Sequence, residues 1–228
     1  LYSLPPLRTS FTRRSLLLAP LAAVPLSVST SAEAAGPVRE GMNAFAAGKV
    51  EDAIRLYDTA IATNPASKPY LWQRGLALYY ADRFEDGAEQ FAADVAVNPN
   101  DTEEQIWHLL CLAQVKGGLG AARPFKLTVG IDRRPVMRAV QKLFLSGDAA
   151  DEQQLAAIAR EGDVGSRFYA ALYLSLYHES LGDADKARRR MAEAVGAEYA
   201  RGIGRSDPMV ELAKVANQRR GWENKAEL

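Results

Sequence analysis

Small and apolar residues recur along the chain with a period of 34 positions. Residues 41–45 (GMNAF) are matched by residues 75–79 (GLALY), and the same offset relates Tyr57 to Phe91. An Asn-Pro pair follows each of these two aromatic residues at the same distance. Self-similarity at a fixed period of this length is typical of stacked repeats, in which each unit buries its apolar face against its neighbours.

Each recurring position has a physical reason in a pair of packed helices. Gly41 and Gly75 are predicted where the first helix of a pair touches the second, because a side chain there would push the helices apart. Tyr57 and Phe91 are expected to fill the space between one pair and the next. Proline lacks an amide N–H and disfavours the α conformation in the residue before it, so each Asn-Pro ends the second helix.

These residues resemble the tetratricopeptide repeat (TPR), a 34-residue helix pair with small, aromatic and proline residues at fixed positions. The resemblance implies an all-α fold in which antiparallel helix pairs form a right-handed superhelix. Repeats are predicted at about 35–67 and 68–101, and a third, displaced by two residues, at about 168–200. The third unit keeps the internal spacing through Ser175, Gly182, Ala187, Met191 and Ala194.

Residues 102–167 are predicted to be helical units that depart from the repeat pattern. Asp101 is expected to cap a helix that ends near Lys116, before a Gly-Gly pair. Further helices are predicted to begin at Pro135, Asp151 and Pro208 and to end near Leu145, Glu161 and Arg219. Together these segments make one helical domain at 35–221, with the terminal helix at about 207–219 and a polar tail at 222–228.

A narrower resemblance rests on residues 98–101 (NPND), which lead into 107–110 (WHLL), and on 168–177 (FYAALYLSLY) before a Gly-Asp pair. Over residues 37–200 the chain resembles NlpI-type TPR proteins of bacteria and thylakoid-lumen TPR proteins of plants and algae. The NlpI type implies a periplasmic adaptor that brings hydrolases together, often as a homodimer. The lumenal type implies assembly or maintenance of photosynthetic complexes. The leader departs from the NlpI type because it has no lipobox cysteine.

The first 34 residues have the pattern of a cleavable targeting segment. Arg13-Arg14 precede an apolar run at 15–28, and small residues flank Glu33 before an expected cut after Ala34. The run is short for a membrane span, although an uncleaved anchor is the alternative. The twin arginine favours the Tat route. The Ser/Thr/Arg-rich, acid-free start resembles a bipartite chloroplast leader and predicts the thylakoid lumen, with the bacterial periplasm as the alternative.

Charge and cysteine content narrow the possible partners. The chain has 28 basic and 28 acidic residues, and the predicted leader holds three of the arginines and one of the glutamates. The remainder therefore has no basic surplus, so neither nucleic-acid binding nor direct membrane insertion after cleavage is expected. Cys111 is the single cysteine, which leaves no intrachain disulfide and no cysteine metal cluster.

Catalytic motifs are missing from the sequence. It contains no nucleophile elbow, P-loop or zinc-protease helix, so a non-enzymatic protein with no cofactor and no catalytic or metal-binding residue is predicted. His108 and Cys111 lie one turn apart, but apolar neighbours favour a buried, inert thiol. His178 has similar neighbours in another unit. The run 132–134 (DRR), in a predicted loop, is expected to form a cap or salt bridge, or to contact an acidic partner.

A partner-binding groove is predicted from the TPR resemblance, in which the first helix of each unit lines the concave face. The positions concerned hold Val38, Met42, Phe45 and Ala46 in the first repeat and Trp72, Leu76, Tyr79 and Tyr80 in the second. The predicted binding residues are Met42, Phe45, Trp72, Leu76, Tyr79 and Tyr80. This apolar, aromatic face favours an apolar helix or extended segment of another protein. Alternatively, the N-terminal segment or the middle helices fill the groove, and these residues are core.

The predicted function is a protein-binding TPR scaffold that assists assembly or maintenance of a photosynthetic membrane complex in the thylakoid lumen. Two alternatives stay open. One is a permanent accessory subunit of a large membrane complex, and the other is a periplasmic NlpI-like adaptor of hydrolases.

Overall fold

The computed structural model describes residues 30–223, with side chains from residue 36 onward, and every regular element within these bounds is helical. The all-α prediction is confirmed. The α-helices are α1 (Thr30–Ala46), α2 (Val50–Thr63), α3 (Trp72–Tyr80), α4 (Phe84–Val97), α5 (Thr102–Lys116), α6 (Leu119–Ala122), α7 (Pro135–Ser146), α8 (Ala149–Glu161), α9 (Val164–Ser180), α10 (Ala184–Val195), α11 (Glu198–Arg201) and α12 (Pro208–Arg219). The predicted targeting segment up to residue 29 and the polar tail after residue 223 lie outside the described residues.

The turns inside three helix pairs share one geometry. Gly48 follows α1 with a φ of 73°, and Asp82 and Gly182 follow α3 and α9 with φ values of 57° and 77°. Glycine adopts this left-handed conformation freely and aspartate tolerates it. In all three turns the next amide donates to a carbonyl near the helix end at 2.9 Å, in the pairs Lys49–Ala44, Arg83–Leu78 and Asp183–His178. The third pair thus repeats the turn of the first two despite its displaced spacing.

In the first two pairs, an aromatic ring of the second helix lies against a glycine of the first. A Cβ at Gly41 would come within 2.7 Å of the Tyr57 ring, and one at Gly75 within 2.5 Å of the Phe91 ring. Close packing of this kind leaves no room for a methyl group. The expectation that both rings fill the space between successive pairs is incomplete, because each packs inside its own pair. Phe91 also stacks on Trp107 of α5, with ring centroids 6.3 Å apart.

The last helix closes the described chain onto its first helices. α5 lies at the centre and packs against α4, α7 and α9, whereas α12 packs against α1, α3 and α10. Arg219 donates to a carboxylate oxygen of Glu51 at 2.9 Å and to the carbonyl of Tyr80 at 3.0 Å. α12 therefore lies beside the first helices of both N-terminal pairs, on the side where the groove is predicted.

The observed ends of three helices agree closely with the ends that their proline, glycine and aspartate residues predict. α5, α7 and α12 begin and end within about one residue of the predicted helices. α8 begins at Ala149 and not at the predicted Asp151, because left-handed Gly147 and extended Asp148 end the turn two residues earlier. Asp151 instead turns back to accept a hydrogen bond from the Ser146 hydroxyl at 2.6 Å. Across residues 30–223, no helix has the length and apolar character that crossing a membrane requires.

Candidate functional site

The six predicted binding residues lie on α1 and α3 and differ in exposure. The buried ones are Phe45 at 7%, Leu76 at 3%, Tyr79 at 0% and Tyr80 at 1% of their surface exposed. Met42 and Trp72 are half-buried, as is the neighbouring Val38, and Ala46 is exposed. Met42 and Trp72 are thus the two large side chains of the set that a partner can reach directly. Partner binding by the set as a whole stays a prediction.

Tyr79 and Tyr80 are enclosed by other parts of the same chain. The Trp107 ring of α5 packs edge-on against them, with centroids 5.2 Å and 6.3 Å away. The guanidinium of Arg220, which directly follows α12, lies 5.4 Å from the centre of the Tyr80 ring and pairs with Glu179. This end of the predicted groove is filled by α5 and by the terminal helix. The self-filling alternative named the N-terminal segment or the middle helices, and α12 is an additional occupant that it did not include.

Two adjoining cavities remain beyond these rings. The smaller, of 150 Å³, has mostly apolar walls that include Met42, Phe45 and Trp72; we call it the apolar cavity. The larger, of 250 Å³, shares Trp72, Leu76 and Pro208 with it. Because they share these walls, the two cavities are neighbouring parts of one groove between α3 and the start of α12, which we call the α3–α12 groove.

The larger cavity combines aromatic rings with carboxylates. Its aromatic walls are Trp72, Phe91, Trp107 and Tyr169, and its carboxylates belong to Asp101, Glu103, Glu104 and Asp207. Of the described residues that line it, none is a lysine or an arginine. We call it the acidic cavity.

Three of these carboxylates have partners inside the fold. Asp101 accepts hydrogen bonds from the backbone amides of Glu103 and Glu104. Glu103 accepts hydrogen bonds from the side chains of Arg134 and Tyr173. Asp207 accepts hydrogen bonds from the hydroxyls of Tyr169 and Tyr199 and from the amide of Met209, and all of these distances lie between 2.5 and 3.3 Å. Arg134 also binds Asp132 at 2.8 Å. The run 132–134 therefore makes the salt bridge that its sequence predicts.

Glu104 differs from the other three carboxylates. It is only 5% exposed, and its Oε2 atom has no hydrogen-bond partner among the residues that the structure describes. Burial, together with the nearby carboxylates of Asp94, Asp101 and Glu103, raises the pKa of Glu104 to about 9. The indole Nε1 of Trp107, on the same helix, is also buried without a partner in the described structure. Both atoms are fully buried, so neither is open to solvent.

The sequence carries a signal for this part of the site that reasoning from the repeats does not use. Glu104, Trp107, His108 and Cys111 recur at the i, i+3, i+4, i+7 spacing of one helix face. A carboxylate within such a buried face is unusual, because an ionised group is costly to remove from water. The predicted role of residues 101–104 as a helix cap hides that signal.

The remaining candidates for chemistry are buried singly. His108 is 7% exposed, and burial lowers its pKa to about 4, so the imidazole is neutral at physiological pH. Burial also raises the pKa of the Cys111 thiol above its ordinary value. Among residues 30–223, no three side chains of His, Cys, Asp or Glu are grouped so that they could hold a metal ion.

No protein-family model matches the chain, and no curated protein matches it. The TPR, NlpI-type and lumenal resemblances therefore stay predictions. They depend on the residues of this chain alone.

Proposed function

We propose that this chain is a protein-binding scaffold whose partner places an apolar helix or extended segment in the α3–α12 groove. One observation carries the proposal: Met42 and Trp72, half-buried on α1 and α3, line an apolar cavity beside the start of α12. Large apolar and aromatic side chains along a groove are the usual anchors of helix-in-groove recognition. A second cavity, lined by aromatic rings and carboxylates, continues the groove and adds polar specificity.

The proposal includes a TPR architecture, with antiparallel helix pairs in a right-handed superhelix. The repeated turn at Gly48, Asp82 and Gly182 supports it. The glycine–aromatic contact that recurs at the 34-residue offset supports it as well. On this proposal, α12 occupies part of the concave face, and the stretch beside Trp72 is left for a partner.

For the biological setting, we propose assembly or maintenance of a photosynthetic membrane complex in the thylakoid lumen. The residues of the leader support this setting, in particular Arg13-Arg14 before the apolar run at 15–28. A permanent accessory subunit and a periplasmic adaptor of hydrolases are the alternatives. Quantifying the chain in the purified complex separates an assembly factor from a permanent subunit. A subunit is present one to one, whereas an assembly factor is absent from the finished complex.

The test is affinity purification of the full chain from its native membrane fraction, beside Trp72→Ala and Trp222→Ala. Trp222 is a matched control, because it is also half-buried against the core but lies beside α10. We expect Trp72→Ala to fold and to lose partner recovery by about tenfold or more, and Trp222→Ala to retain it. Equal recovery with Trp72→Ala, collapse of that variant without folded protein, or no partner under mild conditions would each count against the proposal.

A further inference from the structure

The two most exposed large apolar side chains of the described chain are isoleucines on separate turns. Ile131, before α7, and Ile203, between α11 and α12, have 84% and 85% of their surface exposed, and the next most exposed is Tyr70 at 63%. Single exposed apolar residues are common on protein surfaces and need no explanation by themselves. The surroundings of these two isoleucines, which we call the apolar tips, set them apart.

Ile203 is held at the corner of a hydrogen-bonded turn. The amide of Arg205 donates to the carbonyl of Gly202 at 3.2 Å, and the amide of Gly204 donates to the carbonyl of Tyr199 at 2.9 Å. Gly204 is buried, because the Tyr199 ring covers it so closely that a Cβ there would lie 2.1 Å from a ring carbon. The backbone is therefore fixed on both sides of Ile203, and the turn itself holds this side chain in water.

The turn before α7 is fixed in a similar way. The amide of Gly130 donates to the carbonyl of Pro99 at 2.8 Å. The amide of Arg134 donates to the carboxylate of Asp132, also at 2.8 Å. Ile131 lies between these two anchored residues, so its exposure is also set by a braced backbone.

Each apolar tip lies between two basic residues whose side chains are exposed. None of the four forms an ion pair or a side-chain hydrogen bond within the part of the chain that the structure describes. They are Lys126 and Arg133 around the first tip and Arg201 and Arg205 around the second. The acid beside the first tip, Asp132, is 8% exposed and bound to Arg134, and residues 201–206 contain no acid. The exposed, unpaired charge beside both tips is therefore positive.

A line of contacts joins the two turns. Arg134 lies over the ring of Tyr169, 5.7 Å from its centre. The hydroxyls of Tyr169 and Tyr199 donate to the same oxygen of Asp207, and the Tyr199 ring covers Gly204 of the second turn. Both apolar tips therefore belong to the same region of the fold.

Charge complementarity selects the surface that these turns fit. Protein interfaces concentrate their binding energy in large anchors that are buried in pockets near the centre of the contact. An apolar tip that projects from a fixed turn, beside unpaired cations, fits instead the boundary between acyl chains and anionic headgroups. Each basic residue near such a surface adds affinity. Screening limits the attraction to about 10 Å, so the balanced charge of the whole chain does not oppose it.

We propose that the two turns dock on the surface of an anionic lipid bilayer, where both apolar tips enter the headgroup boundary and the four basic residues bind the headgroups. Docking of this kind is peripheral and involves no spanning segment. The inference goes beyond the protein-binding function and does not depend on it.

The test places a fluorophore at each apolar tip of the full chain. Because the single natural cysteine, Cys111, is buried, Ile131→Cys and Ile203→Cys can each be labelled selectively with a dye whose emission rises in an apolar environment. Vesicles of phosphatidylglycerol mixed with phosphatidylcholine should raise the emission at both positions. Vesicles of phosphatidylcholine alone should bind about tenfold more weakly.

Tyr70→Cys and Leu181→Cys are the matched control positions. Both residues are exposed large apolar side chains. The lysines nearest to them in the sequence, Lys68 and Lys186, are already in ion pairs. A dye at either control position should stay in water with both kinds of vesicle. This comparison reports where the chain meets the bilayer, whichever other part of the full chain also binds.

A second pair of variants tests the charges. In the labelled Ile203→Cys chain, Arg201→Gln combined with Arg205→Gln should weaken binding to the anionic vesicles by about tenfold. Arg160→Gln combined with Arg189→Gln removes the same charge from exposed positions outside the two turns and should leave binding unchanged.

Three results would overturn the inference: emission at either tip that does not rise with anionic vesicles, equal rises at the tips and at the control positions, or equal affinity for neutral and anionic vesicles. If the labelled tips respond only to a protein from the native membrane fraction, the turns form a protein interface and the bilayer claim fails. Because the vesicles contain no protein, failure of this inference leaves the proposal for the α3–α12 groove intact.

Discussion

Burial of Glu104 has a cost in folding stability that depends on the protonation of its carboxyl group. Because its carboxyl is buried beside Asp94, Asp101 and Glu103, its pKa is raised and the group is protonated at neutral pH in the free protein. A neutral carboxylic acid is tolerated in the interior far better than a carboxylate.

Glu104→Gln should make folding stability less sensitive to alkaline pH. The pKa of Glu104 rises from 4.5 to about 9 on folding, so between these values the folded chain holds a proton that the unfolded chain has lost. The resulting stabilisation is fully present below pH 4.5 and falls as the pH approaches 9, by up to about 1.4 kcal/mol per pH unit. Urea unfolding between about pH 7 and 9 should show a steeper loss for the unchanged chain than for the variant.

Neighbouring groups define the pH window of that experiment. Asp94 on α4, whose pKa burial raises to about 7, has lost most of its own stabilisation above that pH. Asp101 and Glu103 face Glu104 from the start of α5, and Glu103 is paired with Arg134. These groups are present in both proteins, so the difference in slope reports on Glu104. The exposed Glu161→Gln should keep the original slope, and identical slopes for Glu104→Gln would contradict the prediction.

Gly75→Ala should destabilise the protein by about 1–3 kcal/mol. Its methyl carbon would lie 2.5 Å from Cζ of Phe91, a ring that is fully buried and has little space to move. The control is Gly120→Ala in α6, where a Cβ meets no atom within 4 Å and alanine should be neutral or slightly stabilising. Thermal and urea unfolding measure both, and equal stability of the two variants would refute the clash.

At the scale of elements, one carboxylate fixes the helix that covers part of the predicted groove. Asp207 accepts from the amide of Met209 at 2.9 Å as the N-cap of α12. Its other oxygen accepts from the hydroxyls of Tyr169 on α9 and Tyr199 on α11, at 2.8 and 2.9 Å. The start of α12 is thereby joined to two other helices.

Asp207→Ala should therefore cost more stability than Asp183→Ala. Asp183 caps α10 through the amide of Lys186 and makes one exposed ion pair, so its loss should cost about 1 kcal/mol. Asp207 loses a cap and leaves two tyrosine hydroxyls without their acceptor, which should add about 2 kcal/mol. Urea titrations of both variants measure the difference. Equal costs would mean that the tyrosine hydrogen bonds contribute nothing.

The elements themselves are predictable where backbone preferences are local. Prolines, glycines and aspartates mark the ends of α5, α7 and α12, because their conformational limits act within a few residues. The position of α12 is not predictable in this way, because it depends on distant contacts such as that of Arg219 with the Tyr80 carbonyl.

The acidic cavity cannot be predicted from the sequence for the same reason, because only the folded chain brings Trp72, Glu104 and Asp207 together. Of the walls of that cavity, Trp72 and Leu76 are the two that belong to the predicted partner-binding residues.

At the scale of the whole molecule, closure by α12 changes how the chain should unfold. In an open repeat stack each unit contacts only its neighbours, and parts of the stack can open separately. Here the last long helix of the described chain packs on α1, α3 and α10, and Arg219 joins it to Glu51 of α2. Contacts between both ends of the fold favour one cooperative transition.

Labelling of Cys111, the single cysteine, tests that cooperativity. The thiol is fully buried in α5, its Sγ lies 2.9 Å from where a Cβ of Gly87 in α4 would be, and its raised pKa suppresses the reactive thiolate. A thiol reagent should therefore react only after α4 and α5 separate, and the urea midpoint of labelling should coincide with that of helical circular dichroism. Arg219→Ala should lower the free energy of unfolding by about 1 kcal/mol. Both urea midpoints should therefore fall together. Labelling at urea concentrations that leave the helical signal intact would instead mean that the helix pairs open one by one, and that α12 does not close the fold.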